Sequence, residues 1–166
     1  MLIATRKLDP NPRQTALFRS VGFTLSTLGY TVSRRFHDVL VPLELEPSEF
    51  AVLRAVGVAE GQSQQALAEH LHISPSHMVS IIDELERRKL VERKPQSSDR
   101  RVRTLHLTST GRKHLTQAIE VATQYEQLIT KPLTAKERTE LLRMLGRIAD
   151  GLELKPGAHA ALREKT

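Results

Sequence analysis

Three observations in the 166-residue sequence predict a mainly α-helical fold with a small β component. Apolar residues recur at alternating threes and fours over most of the chain, which is the period of helices with one buried stripe. Two short helical patterns stand end to end between Ser63 and Arg87, joined by a tight turn. Immediately after them, Leu90-Val91-Glu92-Arg93 and Val102 to Leu107 read as strands on either side of a charged turn containing Pro95 and two serines. A helix-turn-helix followed by a hairpin is a winged helix-turn-helix, here set between long N- and C-terminal helices.

The elements follow in order. Residues 1–14, with Pro10, Pro12 and scattered basic side chains, are expected to form a flexible arm. From Thr15 to Leu40, a stripe of Leu17, Val21, Leu25, Leu28, Val32, Phe36 and Val39 predicts a long amphipathic helix ended by Pro42. Gly22 and Gly29 lie a heptad apart on one side of it, each costing about 1 kcal/mol relative to Ala. Either another helix approaches closely there, or the glycines are simply tolerated. Pro47 opens a helix over Ser48 to Val58, with Phe50, Val52, Leu53 and Val56 as core candidates, and Gly61 punctuates. Ser63 to Leu71 predicts a short helix burying Ala66, Leu67 and Leu71, which turns through His72-Ile73 into the next.

That next helix is capped by Ser74, with Pro75 at its first position, where a missing N–H does no harm. Met78, Ile81, Ile82 and Leu85 fall at i, i+3, i+4 and i+7 and form its buried face. The opposite face carries Ser76, Ser80, Asp83, Glu84 and Arg87, with His77 at its edge. Beyond the hairpin, Thr108 or Ser109 caps a helix to Thr130, with Leu115, Ile119, Ala122, Leu128 and Ile129 apolar, and Pro132 breaks it. Thr134 with Glu137 forms a capping box for a last helix striped by Leu141, Leu145, Ile148 and Leu152. Together these long helices carry more apolar surface than the small winged unit can cover, so a homodimer is expected. Residues 15–152 are read as one domain, with 15–41 and 109–152 for dimerisation and 47–108 as the winged-helix unit; 153–166 are a tail.

Charge makes the function specific. From Arg87 to Arg103 there are eight basic residues against Glu92 and Asp99, an excess of six that equals the formal net charge of the whole chain. A charge run alone is usually a solvated face. This one adjoins a helix with a small polar face, and that combination fits double-stranded DNA, phosphates drawing the charge and the helix entering the major groove. The recognition-helix candidates are Ser74, Ser76, His77 and Ser80; the wing candidates are Lys94, Asp99, Arg100, Arg101 and Arg103.

Composition excludes other classes. The 39% apolar content is enough for a core, and no stretch approaches the roughly 20 apolar residues that span a bilayer. The N-terminus has no apolar stretch of signal-peptide length before its charges and prolines, so the protein is read as cytoplasmic. Absence of cysteine removes disulfides, thiolate metal sites and thiol redox sensing. Few aromatics and no Trp argue against stacking on single strands. Seven histidines are present, but His70 and His72 do not share a helical face, and His37, His106 and His114 lie elsewhere; no metal and no cofactor are expected. Nor is there a Gly-rich phosphate loop, strand-embedded nucleophile or paired carboxylates, which argues against an enzyme.

The run Ile82-Asp83-Glu84-Leu85-Glu86-Arg87-Arg88, then Leu90-Val91 and Arg93, then Asp99-Arg100-Arg101 with Leu105, Leu107, Thr108 and Gly111, resembles the signature of the MarR family of bacterial transcriptional regulators. The likeness runs from about Ala16 to about Leu152. It implies a dimeric winged-helix protein on a palindromic operator, commonly a repressor and often released by a small ligand or an oxidant. It assigns Arg101 to the minor groove and Asp99 to orienting the loop, with Arg100 and Arg103 on phosphates or within the wing. Two positions depart from the family: Ser80, where many relatives carry a basic residue, and Lys89, where the family usually has Gly. Lacking cysteine, the chain falls outside the thiol-oxidant branch, leaving a small organic effector or none. Two alternatives stay open: an architectural DNA-binding protein with little sequence preference, and a protein-interaction module that has lost DNA binding.

Overall fold

A computed structural model describes residues 20–96 and 103–154. The chain divides into two compact units between Phe36 and His37.

The described part of the first unit is the beginning of α1 (Val21–Leu40). Ser20 Oγ accepts from the Phe23 N–H at 3.2 Å, satisfying one of the donors that a helix start leaves over. Val21, Phe23, Leu28 and Tyr30 are exposed along α1. Among the described residues nothing lies within 4 Å of a Cβ added at Gly22 or Gly29, so no described neighbour crowds either glycine.

In the second unit, α1 ends at Leu40, fully buried, and Pro42 sits within a 3-10 turn over Val41–Leu43. Pro47 starts α2 (Pro47–Val58), where Glu49 closes a capping box by accepting from the Glu46 N–H at 2.9 Å. α3 (Gln64–Leu71) is capped by Ser63, whose hydroxyl accepts from the Ala66 N–H, and ends at His72 in the left-handed region, φ 53°. α4 (Pro75–Arg87) follows after three residues, completing the helix-turn-helix. Its stripe of Met78, Ile81, Ile82 and Leu85 meets Val52, Leu53 and Val56 of α2 and Leu67 and Leu71 of α3 in one buried core. Each such side chain contributes roughly 1.5–3 kcal/mol by leaving water.

The hairpin pairs β1 (Val91–Pro95) with β2 (Arg103–Leu107) antiparallel, in the register Val91 to Leu107, Arg93 to Leu105 and Pro95 to Arg103. Residues 61–63 add to the far edge of β2: the Gly61 N–H donates to Leu105 O at 3.0 Å and the Leu105 N–H to Gln62 O at 2.9 Å. Gly61 has φ +86° there, which suits a residue without a Cβ. α5 (Ser109–Thr130) starts on the Thr108 cap and buries Leu115, Ala118 and Tyr125. α6 (Ala135–Gly151) starts on the Thr134–Glu137 capping box and buries no residue.

The mainly α fold with a two-stranded wing is therefore the one the sequence predicts. Small differences have local reasons. Ala66 is exposed, and Ala68 takes the buried place, because the stripe of α3 runs through Leu67, Ala68 and Leu71. Phe50 is half-buried, and Ile119 and Leu128 are exposed. No described helix is long and apolar enough to cross a membrane.

Candidate nucleic-acid interface

The outward face of α4 is built on its cap and its buried stripe. Ser74, extended at φ −61° and ψ 146°, accepts from the His77 N–H at 3.3 Å and so sets where the first turn begins. Its Oγ also lies 3.2 Å from Ser76 Oγ. Ser76 and Ser80 are exposed, and the Ser80 hydroxyl donates to the Ser76 carbonyl at 3.3 Å. His77 is half-buried at the edge. Four recognition-helix candidates thus share the N-terminal two turns of one helix.

Farther along, the same face is occupied by ion pairs. Arg93, projecting from β1, donates from Nη2 to Asp83 Oδ1 at 2.6 Å and to Gln64 Oε1 at 3.1 Å, and its Nη1 donates to Glu86 Oε2. Its backbone N–H donates to Glu86 Oε1 at 3.1 Å. One guanidinium therefore joins α3, α4 and the wing strand, holding α4 against the hairpin. Glu84 takes both Nε and Nη2 of Arg87, and this hydrogen-bonded guanidinium holds its carboxyl below the ordinary value. Arg88 points the other way: it donates to Glu44 O at 2.5 Å and Leu43 O at 3.2 Å, neutralising carbonyls of the 3-10 turn.

These partners revise the charge reading. Counting from Arg87 leaves out Asp83, Glu84 and Glu86, one turn upstream, which meet Arg87 and Arg93 directly. Lys94, on β1, pairs with Glu92 at 2.8 Å and remains exposed; Arg103 is exposed opposite Pro95 at the outer end of the hairpin. Asp99, Arg100 and Arg101 lie outside the described residues.

At the junction of helix and wing, Lys89 adopts φ 57°, the left-handed conformation that favours glycine. Its carbonyl accepts from the Thr108 hydroxyl at 2.5 Å, so the turn is held by the residue that also caps α5. Glu60 braces the other side, accepting from the Leu107 N–H at 3.0 Å and from Arg112 Nη2 at 2.9 Å. The Arg112 hydrogen bond, then that N–H, lower its pKa below the ordinary 4.5.

Sequence reasoning passed over two residues here. Val79, 42% exposed, lies between the serines and the groove along α3; an apolar residue off the stripe carried no signal as a ligand contact. Arg93 was counted as loose charge, although Asp83 and Glu86 at i, i+3 could have marked a binding place for a guanidinium. Two of the histidines have hydrogen-bond partners instead: His106 Nε2 lies 2.9 Å from Thr104 Oγ1, and His114 Nε2 lies 2.8 Å from Leu43 O. Among the described residues no three His, Asp or Glu side chains gather where a metal ion could be held.

Residues 45–102 match the model of the MarR family. The HTH-type transcriptional regulator PecS of Dickeya dadantii is 30% identical over 128 residues, which cover 75% of this chain and 77% of that protein. The chain belongs to the MarR family. The transcriptional repressor CouR, solved bound to a 23-mer DNA duplex, is similar in structure with a TM-score of 0.74 and 33% identity, over 84% of this chain and 99% of that one. CouR from Rhodococcus jostii RHA1 bound to p-coumaroyl-CoA has a TM-score of 0.68 and 29% identity, over 80% and 94%. This MarR-family chain is a winged helix-turn-helix transcriptional regulator, and α3 and α4 are the two helices of that motif.

Proposed function

We propose that this MarR-family protein is a cytoplasmic, sequence-specific repressor that binds a palindromic operator in double-stranded DNA as a homodimer and blocks transcription by occupying a promoter. The observation that carries the reading is the outward face of α4, where Ser74, Ser76, His77 and Ser80 share the first two turns of a helix that Arg93 ties to the hairpin. Hydroxyls and a ring nitrogen can donate or accept at base edges in the major groove, while Lys94, Arg100, Arg101 and Arg103 meet phosphates and the minor groove, with Asp99 orienting the wing. Residues 47–108 form the DNA-binding unit in this reading.

The helices on either side, 15–41 and 109–152, build the dimer. Its support is exposed apolar surface: Val21, Phe23, Leu28 and Tyr30 on α1, and Leu141, Leu142, Met144 and Leu152 at α6. A partner copy covers such surface by the same hydrophobic term that builds the core. Release by a small organic ligand is the regulatory part of the proposal, supported by the relative solved with p-coumaroyl-CoA. Such a ligand acts by favouring a spacing of the two recognition helices that no longer matches the operator.

Selection of duplexes from a random pool at near-physiological salt tests the reading. A recovered palindrome with half-sites about 10 bp apart supports the dimeric regulator. Tight binding with no recovered motif overturns it in favour of the architectural protein, and no duplex affinity in favour of the protein-interaction module. Sedimentation of the free protein checks the dimer separately.

A further inference from the structure

Apart from His77 at its edge, the recognition helix offers the groove only short side chains over its first two turns. Ser76, Val79 and Ser80 are exposed there, and the longer side chains that follow, Glu84, Glu86 and Arg87, are held by ion pairs. Short side chains let a helix lie close to base edges. Close approach makes the chemistry of each one count.

The serines discriminate weakly, because a hydroxyl can donate to one base edge and accept from another. Val79 is different. The residue is 42% exposed at the border between the buried stripe and the polar face, and its isopropyl group cannot replace any hydrogen bond it strips from a base. Against an amino group or carbonyl it leaves a desolvated polar atom; against the 5-methyl of thymine it buries apolar surface at no such cost. The neighbouring groove, lined by Gln65, Glu69, Pro75 and Met78 as well as Val79, leaves room on that side for a methyl group.

We infer that Val79 is a specificity-determining residue of this regulator, selecting thymine at one position of each half-site through the 5-methyl group. The inference rests on the proposed operator binding and names part of its sequence preference.

Deoxyuridine tests it, since it differs from thymine only by that methyl and pairs identically. On the selected duplex, each thymine is exchanged in turn and binding is measured at fixed salt for the wild type, Val79→Ala and Val79→Thr. One buried methyl corresponds to about a fourfold loss for one half-site and about fifteenfold for both. Wild type is expected to show that loss at a single thymine per half-site, Val79→Ala to be indifferent to the exchange there, and Val79→Thr, which keeps one methyl, to respond in part. Thermal unfolding confirms that the variants fold. Indifference of the wild type at every thymine, or an undiminished loss in Val79→Ala, overturns the inference while operator binding stands. If the selection yields no motif, the operator reading fails and the inference falls with it.

Discussion

A Cβ placed on Gly111 would lie 1.8 Å from the carbonyl oxygen of Leu90. That oxygen already accepts from the Thr108 N–H at 3.1 Å, so the start of α5 is pressed against the backbone at the helix-wing junction and neither side can retreat. Gly111→Ala is therefore expected to destabilise the protein by about 3 kcal/mol or more, as for other overpacked sites at which backbone must move. Gly146 is the internal control: it also lies in a helix, and among the described residues nothing lies within 4 Å of its added Cβ. Gly146→Ala should gain up to about 1 kcal/mol from helix propensity. Urea unfolding of both variants checks the contrast, and two similar losses would refute the packing account.

Lys89 makes the opposite prediction. A non-glycine residue in the left-handed region costs roughly 1–2 kcal/mol, part of which glycine returns through its greater freedom in the unfolded chain. With φ 57° at Lys89, Lys89→Gly should stabilise by about 0.5–1 kcal/mol, raising the melting temperature by a few degrees. A lower melting temperature would mean that the aliphatic stem of the lysine contributes more than the backbone strain.

Arg93 holds a carboxylate that faces the same way as Ser76 and Ser80. Asp83 is 58% exposed, and removing its guanidinium partner leaves a negative charge where phosphates approach. Arg93→Met is expected to weaken duplex binding by about tenfold at low salt, less as salt rises, because exposed charges are screened within a Debye length. Adding Asp83→Asn should recover much of that affinity. No recovery would place the role of Arg93 in the stability of the helix-wing junction rather than in its electrostatics.

These residues also show how much was legible in the sequence. The cap at Ser74, Pro75 at the first position and the stripe Met78, Ile81, Ile82, Leu85 are local patterns, and the structure repeats them residue for residue. Strands β1 and β2 begin and end within two residues of their expected limits. What escaped was long-range partnering. Arg88 reaches Glu44 across 44 positions and Arg93 reaches Gln64 across 29, and no periodicity encodes such pairs. The short edge at 61–63 escaped too, since three residues are too few to show strand alternation. At the candidate interface, exposure of Ser76 and Ser80 followed from the helical wheel, whereas Val79 lay between stripe and polar face and had no assignment.

Acid should loosen the same junction. Glu60 has its pKa lowered in the folded protein, chiefly by the Arg112 hydrogen bond, so its contribution to stability is present above the unfolded value near 4.5 and is lost as pH falls through the folded value. Glu60→Gln removes that titration while keeping an acceptor for the Leu107 N–H. The variant should be less stable than wild type at neutral pH, and the difference should shrink below pH 4.5. Parallel curves across the acid range would show that Glu60 binds protons equally in both states.

The two halves of the proposed interface should separate by salt. In the proposed interface Arg101, which the family likeness assigns to the minor groove, would contribute charge and read groove shape, and Ser80 would meet base edges without charge. Arg101→Ala is expected to weaken binding to all duplexes and to reduce the slope of log affinity against log salt by about 1. Ser80→Ala should leave that slope in place and alter the ranking of operator variants, with a difference of about 1 kcal/mol at the affected base pair. Salt titrations on the selected operator and on a scrambled duplex distinguish these outcomes. An Arg101→Ala protein with unchanged slope would remove the wing from the interface, and a Ser80→Ala protein with unchanged ranking would leave sequence reading to its neighbours on α4.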